Sequence, residues 1–523
     1  MFIDKKILFF LIFLYLTGAF LHLGRMYFQH EEPRRAIIAL EMNYTHDYIK
    51  PTVLGKPYFK KPPLHNIIIA LFFKIFGTNE FSARLVSILS MLAIGITIYF
   101  TLKNIVGTDA SIFATFSFLT AFSTYFSYGI LAETDMLFSL FVFLSIISLF
   151  WLKKKGILLG SIFTALSLLT KGFPALHYFY FTLIAYAILK KDIKGYLLSK
   201  ETVLGFFIIA GSFAGWILLA SGTNIHSINY ALGFLLSESS SRVLSIEKIT
   251  QVFKHIILFP IEFWYHFLPF SILFLLFFKK EFKNEFLSLI KDNPKIKELF
   301  MFSIVAFVPN FLLYALLPGG RVRYTLVLFA FAAFFIGIIY HILEYTEIEN
   351  INIKKTGTVL ICTVILISIF GGIFDFEFTK TSDYIICVLV ALTAVATLFI
   401  SKTIESKTIT FFFIITSFTI MLKILYISIY YNYLFNYYTD YRHFGNKIAE
   451  FILKENPKYV MTDAVNLRML FYVEKNLHMQ IHPIDTKKEG VILSKRKRVE
   501  QKADYSIDTP KGEYYIIKNI GGV

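Results

Sequence analysis

The sequence is poor in cysteine, tryptophan and charge. Its 523 residues contain two Cys and three Trp, and Asp, Glu, Lys and Arg together make up 17%. The two cysteines, Cys362 and Cys387, each sit inside an apolar run. That spacing excludes a disulfide scaffold and a cysteine-based zinc site. Soluble chains carry about 25% charged residues, and this one is 56% hydrophobic with a mean hydropathy of +0.62. No water-soluble fold of this length hides so much apolar surface. A Gly-rich phosphate loop is also missing, and no pattern repeats between the halves as it does in many transporters. The net charge of +16 would point to nucleic acid on a soluble chain. Here most Lys lie in short clusters between apolar segments, where they report topology, so no nucleic-acid partner is read.

What is present is apolar and aromatic, with 60 Phe and 31 Tyr. A spanning helix needs about 20 mostly apolar residues. Candidate spans run roughly over 7–24, 82–103, 109–129, 134–152, 157–171, 175–189, 202–221, 257–278, 299–317, 323–344, 356–374, 384–401 and 408–428, about thirteen in all. The pair 157–171 and 175–189 is short. The first apolar stretch of the chain, Ile7 to Leu23, follows Lys5 and Lys6, has no small-residue cleavage site after it, and reads as an uncleaved first membrane helix. Alternating the spans collects Lys5/Lys6, Lys103, Lys153–Lys155, Lys190/Lys191/Lys194, loop 279–297, Lys354/Lys355 and Lys402/Lys407 on one side, which is then cytoplasmic. An odd number of spans places the C-terminus outside. The predicted fold is an all-α polytopic membrane protein: residues 1–428 form the membrane unit and residues 429–523 a small α/β extracytoplasmic domain. In the tail, 440–454 reads as an amphipathic helix and Tyr459–Thr462 and Tyr514–Ile517 as strands. The first outer loop, 25–81, is expected to lie on the membrane as short helices, with Pro33 at a first helical position.

Outer loop 25–65 carries seven cations, Arg25, Arg34, Arg35, Lys50, Lys56, Lys60 and Lys61, against Glu31, Glu32, Glu41 and Asp47. The positive-inside rule disfavours Lys and Arg on that side, and an anionic ligand at the membrane surface would explain them, as would plain solvent or headgroups. Glu31 and Glu32 precede Pro33, where acids stabilise a helix start by roughly 0.3–1 kcal/mol, or where a carboxylate can serve as general base. Glu133 and Asp135 lie in one outer turn, Lys171 in a second, Arg321 and Arg323 in a third. Charged residues beside a membrane are functional candidates by default.

The order of motifs is more specific than any one of them. Glu31–Glu32–Pro33–Arg34–Arg35–Ala36, Glu41–Met42, Tyr58–Phe59–Lys60–Lys61–Pro62–Pro63, Phe76–Gly77 and Glu80–Phe81–Ser82–Ala83–Arg84–Leu85 follow one another. Thr134–Asp135–Met136, Leu169–Thr170–Lys171–Gly172, Glu238 with Arg242, and Phe263–Trp264–Tyr265 continue the series. Together they resemble the lipid A 4-amino-4-deoxy-L-arabinose transferases, which belong with the protein O-mannosyltransferases among the multi-spanning glycosyltransferases of GT-C fold. The pattern there is Asp-Glu-x-Arg-Tyr-Ala, then Tyr-Phe-Glu-Lys-Pro-Pro, then Phe-Gly and Glu-Phe-x-x-Arg-Leu. Three residues depart from it: Glu31 replaces Asp, Arg35 replaces Tyr, and Lys60 replaces Glu.

The resemblance implies an inverting enzyme at the periplasmic face of a bacterial inner membrane. Its donor would be a sugar on undecaprenyl phosphate, its acceptor lipid A or another envelope glycolipid, and membrane lipids its surroundings. Glu31 and Asp135 would be catalytic. Arg34, Lys60, Lys61, Arg321 and Arg323 would bind the donor phosphate, and Glu32, Tyr58, Arg84, Lys171, Glu238 and Arg242 would position substrate. No cofactor is firmly implied. A divalent metal is disfavoured because Lys60 stands where some relatives have a candidate ligand Glu; His255 is a weak ligand candidate. A protein or envelope-polymer glycosyltransferase of the same fold is the nearest alternative. A lipid or solute transporter, or an assembly subunit, is the alternative outside enzymes.

Overall fold

The structure is a computed structural model of the chain. It describes residues 3–21, 23–222, 224–240, 249–317, 319–345, 353–374, 381–430, 440–464, 466–485, 487–494, 505–509 and 512–519. Arg242 lies outside these, and Glu238 lies in a helix but its side chain is outside the description.

The chain is a mostly helical, multi-pass membrane protein with one small sheet. In order come α1 (Lys5–Phe20), α2 (Glu32–Thr45), α3 (Leu64–Phe76), α4 (Glu80–Leu102), α5 (Thr108–Leu119), α6 (Thr134–Leu152), α7 (Gly156–Lys171), α8 (Pro174–Leu189), α9 (Ile193–Leu197) and α10 (Lys200–Ser221). They are followed by α11 (Ile225–Ser240), α12 (Ile249–His266), α13 (Lys280–Asp292), α14 (Pro294–Leu316), α15 (Leu326–Tyr345), α16 (Ile353–Phe374), α17 (Thr381–Thr403) and α18 (Lys407–Leu425). Two more helices, α19 (Tyr441–Lys454) and α20 (Leu467–Leu477), belong to the C-terminal part.

Among the described residues, seven helical stretches are long and apolar enough to cross a membrane, or eight if one bent pair counts as a span. That bent pair corrects one expectation. The stretch 257–278 is not a straight helix: Gln251–His266 and Phe270–Phe278 meet at 119°. Pro269 sits at the break, where it has no N–H to continue a helical ladder. The segment 109–129 likewise ends its α-helix at Leu119 and passes into a wider turn over Ser123–Tyr128. The stretch Val322–Tyr345 is largely buried within the bundle, whereas Tyr384–Thr403 is mostly unburied and faces outward. Phe and Ile side chains from α5, α6, α14 and α15 fill the space between helices.

Outside the main bundle, α2 and α3 pack beneath the C-terminal part. Ala36, Ile37, Ile69 and Phe73 share one apolar core with Ile448, Leu470, Phe471 and Tyr514. The C-terminal sheet has five strands, β3 (Val460–Thr462), β4 (Ile481–Pro483), β5 (Gly490–Ser494), β6 (Tyr505–Thr509) and β7 (Gly512–Asn519), in the order β4-β3-β5-β7-β6. The first three strands pair in parallel, with Met461 opposite both His482 and Ile492; β7 pairs antiparallel with β5 and β6.

Between α2 and α3 runs a small hairpin, β1 (Thr52–Val53) and β2 (Lys56–Pro57). Its two-residue turn, Leu54–Gly55, has positive φ at both positions, 52° and 70°, which is why glycine occupies the second. A Cβ at Gly55 would lie 2.7 Å from Nδ1 of His482. The hairpin fixes the direction in which Tyr58, Lys60 and Lys61 leave it.

Candidate active site

Helix geometry brings the first charges together. α6 and α7 form a helical hairpin turned at Lys153–Lys155, so the start of α6 and the end of α7 lie at the same end. Asp135 is in the first turn of α6, where a carboxylate complements the helix dipole. Lys171 is the last residue of α7, whose helix stops at Gly172 with φ 98°. The Lys171 Nζ donates to Asp135 Oδ1 at 2.5 Å, and both side chains are buried. The ammonium also lies 4.9 Å from the Phe138 ring and 5.1 Å from the Tyr324 ring, so aromatic faces complete its surroundings.

A cavity of about 210 Å³ opens at this pair. Its walls include Glu31, Arg34, Arg35 and Tyr58 from the outer loop, then Lys60 and Lys61, Glu133 and Asp135, Lys171, and Arg323 with Tyr324. Glu31, Lys61 and Asp135, far apart in sequence, therefore meet in one chamber. Among the described residues, six cations and three carboxylates line it. Glu31 pairs with Arg34, and Arg323 Nη1 lies 3.4 Å from Glu133 Oε2. Arg34 and Arg35 stack near Tyr58 at 6.0 and 5.5 Å from its ring centre.

A second cavity, about 330 Å³, adjoins the first. Both are lined by Lys60, Lys61, Lys171 and Tyr324. The second continues past Phe138, Phe173, Leu235 and Leu313 and is mainly apolar. Phe59 anchors the intervening strand of chain by packing against Trp216 and Leu235.

Two expected substrate-positioning residues lie elsewhere. Glu32 and Arg84 do not line the cavity; they bind each other. Arg84 Nε and Nη2 each reach a Glu32 oxygen at 2.8 Å, and neither side chain is exposed. Arg84 also donates to the carbonyls of Leu23, Met26 and Tyr27, at 2.7, 2.8 and 2.9 Å. Glu32 accepts from the backbone N–H of Gln29 and of Ala132, both at 2.7 Å. The pair therefore ties the start of α2 to α4 and to the turn that carries Glu133. Arg321 is another correction: it caps the turn Val322–Thr325, is exposed, and is not a wall of the cavity. His255 hydrogen-bonds the Tyr314 carbonyl at 3.0 Å through Nε2. Among the described residues no group of three His, Cys, Asp or Glu side chains converges as metal ligands would.

Glu133 is the residue that sequence reading placed nearby without giving it a role. It is buried, one carboxylate oxygen, Oε1, has no hydrogen-bond partner, and the backbone N–H of Ala132 beside it is held by Glu32. Burial, and next the neighbouring Asp135 charge, push its pKa up to about 7, against the pull of Arg323. Its position just before the first turn of α6 was legible; its burial was not.

Comparison with known proteins places this arrangement. The family pattern of dolichyl-phosphate-mannose-protein mannosyltransferases matches residues 60–219. An undecaprenyl phosphate-alpha-4-amino-4-deoxy-L-arabinose arabinosyl transferase of Edwardsiella ictaluri is 29% identical over 163 residues, 29% of this chain and 29% of that protein. A second such transferase, of Proteus mirabilis, is 30% identical over 175 residues, 32% and 31% of the two chains. The aligned segment thus spans less than a third of the length of these curated relatives. The crystal structure of ArnT from Cupriavidus metallidurans bound to undecaprenyl phosphate superposes with a TM-score of 0.68 at 15% identity, covering 100% of both chains. The fold is shared with that protein from end to end.

Proposed function

We propose that the chain is a membrane glycosyltransferase that moves a sugar from undecaprenyl phosphate to lipid A or a related envelope glycolipid, outside the cytoplasmic membrane. The observation that carries this reading is the junction of the two cavities: cations at Lys60, Lys61 and Lys171 stand where a charged chamber meets an apolar one. A prenyl phosphate has that division, a phosphate on an apolar chain. The similarity to the aminoarabinose transferases and the mannosyltransferases supports the same reading.

The thirteen-span arrangement belongs with it. Beyond the eight long or bent spans, α7 counted apart from α6, together with α1, α5, α8 and α16, would make the remaining crossings. The Lys clusters then face the cytoplasm, the cavity and the C-terminal sheet the periplasm. No nucleotide sugar is available there, so an activated sugar must arrive on a lipid.

In the reaction the bond from the anomeric carbon to the phosphate oxygen breaks, and the phosphate leaves with the electron pair. It leaves as an anion and needs no proton. Cations aimed at that oxygen stabilise the developing charge; Lys61, Lys60, Lys171 and Arg34 would supply them. The acceptor oxygen forms the new bond from the opposite face, with inversion. A hydroxyl acceptor must lose its proton, and Glu133 is the carboxylate best suited to take it, with a vacant buried oxygen and a pKa near neutrality. Asp135 is held by Lys171, and Glu31 by Arg34 at the rim, so both would orient groups. An ionised phosphate acceptor would need no base.

Mass spectrometry of lipid A and other glycolipids, from cells with and without the gene, tests the reading. A glycolipid that loses a sugar in the deletion, and regains it with the intact chain but not with Lys61→Ala, supports it. An unchanged glycolipid profile refutes it.

A further inference from the structure

Among the described residues, six cations and three carboxylates line the cavity. A prenyl phosphodiester carries one negative charge, which the Lys60–Lys61 end would meet. Arg35 points to a second anion. Its side chain is 4% exposed, it lines the cavity, and its Nη1 is buried with no hydrogen-bond partner. Arg323, in the turn Val322–Thr325, also presents a buried Nε without a partner to the same chamber. Both guanidinium groups act electrostatically on Glu133, so they flank one turn. Buried N–H groups left unpaired are costly, and a carboxylate satisfies guanidinium donors in pairs. An ammonium in their place would meet like charge. Of the three positions that depart from the resembled pattern, Arg35 and Lys60 both change toward positive charge, Tyr to Arg and Glu to Lys.

We propose that the transferred sugar carries a carboxylate of its own: the donor is a prenyl-phosphate-linked uronic acid, its carboxylate received by Arg35 and Arg323. The inference rests on the glycosyl-transfer reading and narrows it to an acidic sugar. The lipid phosphate takes the Lys60–Lys61 end, where the apolar cavity adjoins, and the sugar takes the end toward Arg35.

The test uses the purified full-length chain in lipid discs, with a glycolipid extract as acceptor. Three undecaprenyl phosphate donors are compared: a hexuronate, the matching neutral hexose, and a 4-amino-pentose. At 6–8 Å and an effective dielectric near 20, the gain or loss of one unit charge corresponds to about 30- to 100-fold in kcat/KM. The hexuronate is expected to exceed both other donors by at least about 10-fold, and Arg35→Gln to reduce that ratio by a similar factor. Because the ratio is taken within each variant, it does not depend on how much protein folds. Preference for the neutral or amino sugar overturns the proposal while leaving glycosyl transfer standing. So does an unchanged ratio in Arg35→Gln, including the case in which only removal of phosphate from the acceptor lowers the rate. Transfer from none of the donors overturns this inference and the glycosyltransferase reading together.

Discussion

Replacing Arg84 by Met should open the outer loop without touching the cavity wall. Arg84 donates two hydrogen bonds to Glu32 and one each to the carbonyls of Leu23, Met26 and Tyr27. Its removal leaves the Glu32 carboxylate buried without its counter-charge, which costs about 3–5 kcal/mol. The three carbonyls lose a donor as well, so the upper part of that range is expected. At 1.4 kcal/mol per decade, the open state of this segment should become roughly a thousandfold more populated, or somewhat more. Hydrogen exchange followed by mass spectrometry reads this directly in the peptides covering residues 23–45 and the turn 130–133, because both hang on the same carboxylate. The double change Glu32→Gln with Arg84→Met should cost less than the sum of the single changes, since no unpaired buried charge remains. Wild-type protection of these peptides in Arg84→Met would refute the view that this pair is the scaffold of the site.

Lys171→Met strands the Asp135 carboxylate in a buried setting and should lower stability by about 3–5 kcal/mol, with partial recovery in Asp135→Asn/Lys171→Met; thermal unfolding in detergent measures both. With Glu133 as base, kcat/KM for a hydroxyl acceptor should rise with pH and level off above about 7, and Glu133→Gln should lose most of the rate at every pH. A flat profile from about pH 5 to about pH 8 would count against that role. Glu41 and Glu474 form a buried carboxyl pair between α2 and α20. Burial raises Glu41 to about 6, and burial together with Glu41 raises Glu474 well above its usual value. Acids raised in the folded state contribute stability at low pH and lose it as pH rises through the folded value. Exchange protection of α20 should therefore fall as pH rises through about 6, and Glu474→Gln should flatten that dependence; equal protection across the range in the unmodified chain would contradict it.

Much of the site could be read from residue order. Pro33 marked the start of a helix, and Glu32–Thr45 is one. The tail helix expected over 440–454 spans Tyr441–Lys454, and strands lie at Val460–Thr462 and Gly512–Asn519. Charges from separate outer turns were expected to converge, and Glu31, Lys61 and Asp135 do. Sequence could not tell a charge that lines a cavity from one that holds the fold. Glu32 adjoins Glu31 in one motif and Arg84 belongs to a later motif of the same series, yet across fifty-two positions these two side chains neutralise each other. Glu80 is similar: it receives Arg442 at 2.5 Å and also Tyr472, joining α4 to the C-terminal part through partners over 360 residues away. Such long-range pairs leave no periodic trace. The broken helix near Pro269 escaped for a different reason, since an apolar run of adequate length reads as a straight span by hydropathy alone.

The central claim is that one junction of charged and apolar walls holds a prenyl phosphate, and binding of undecaprenyl phosphate to the purified chain measures it most directly. Native mass spectrometry or tryptophan fluorescence titration should show a saturable complex, weakened at least about 10-fold in Lys61→Ala and less affected by the surface change Arg321→Ala. Equal binding by the unmodified chain and Lys61→Ala, or none by either, would contradict it.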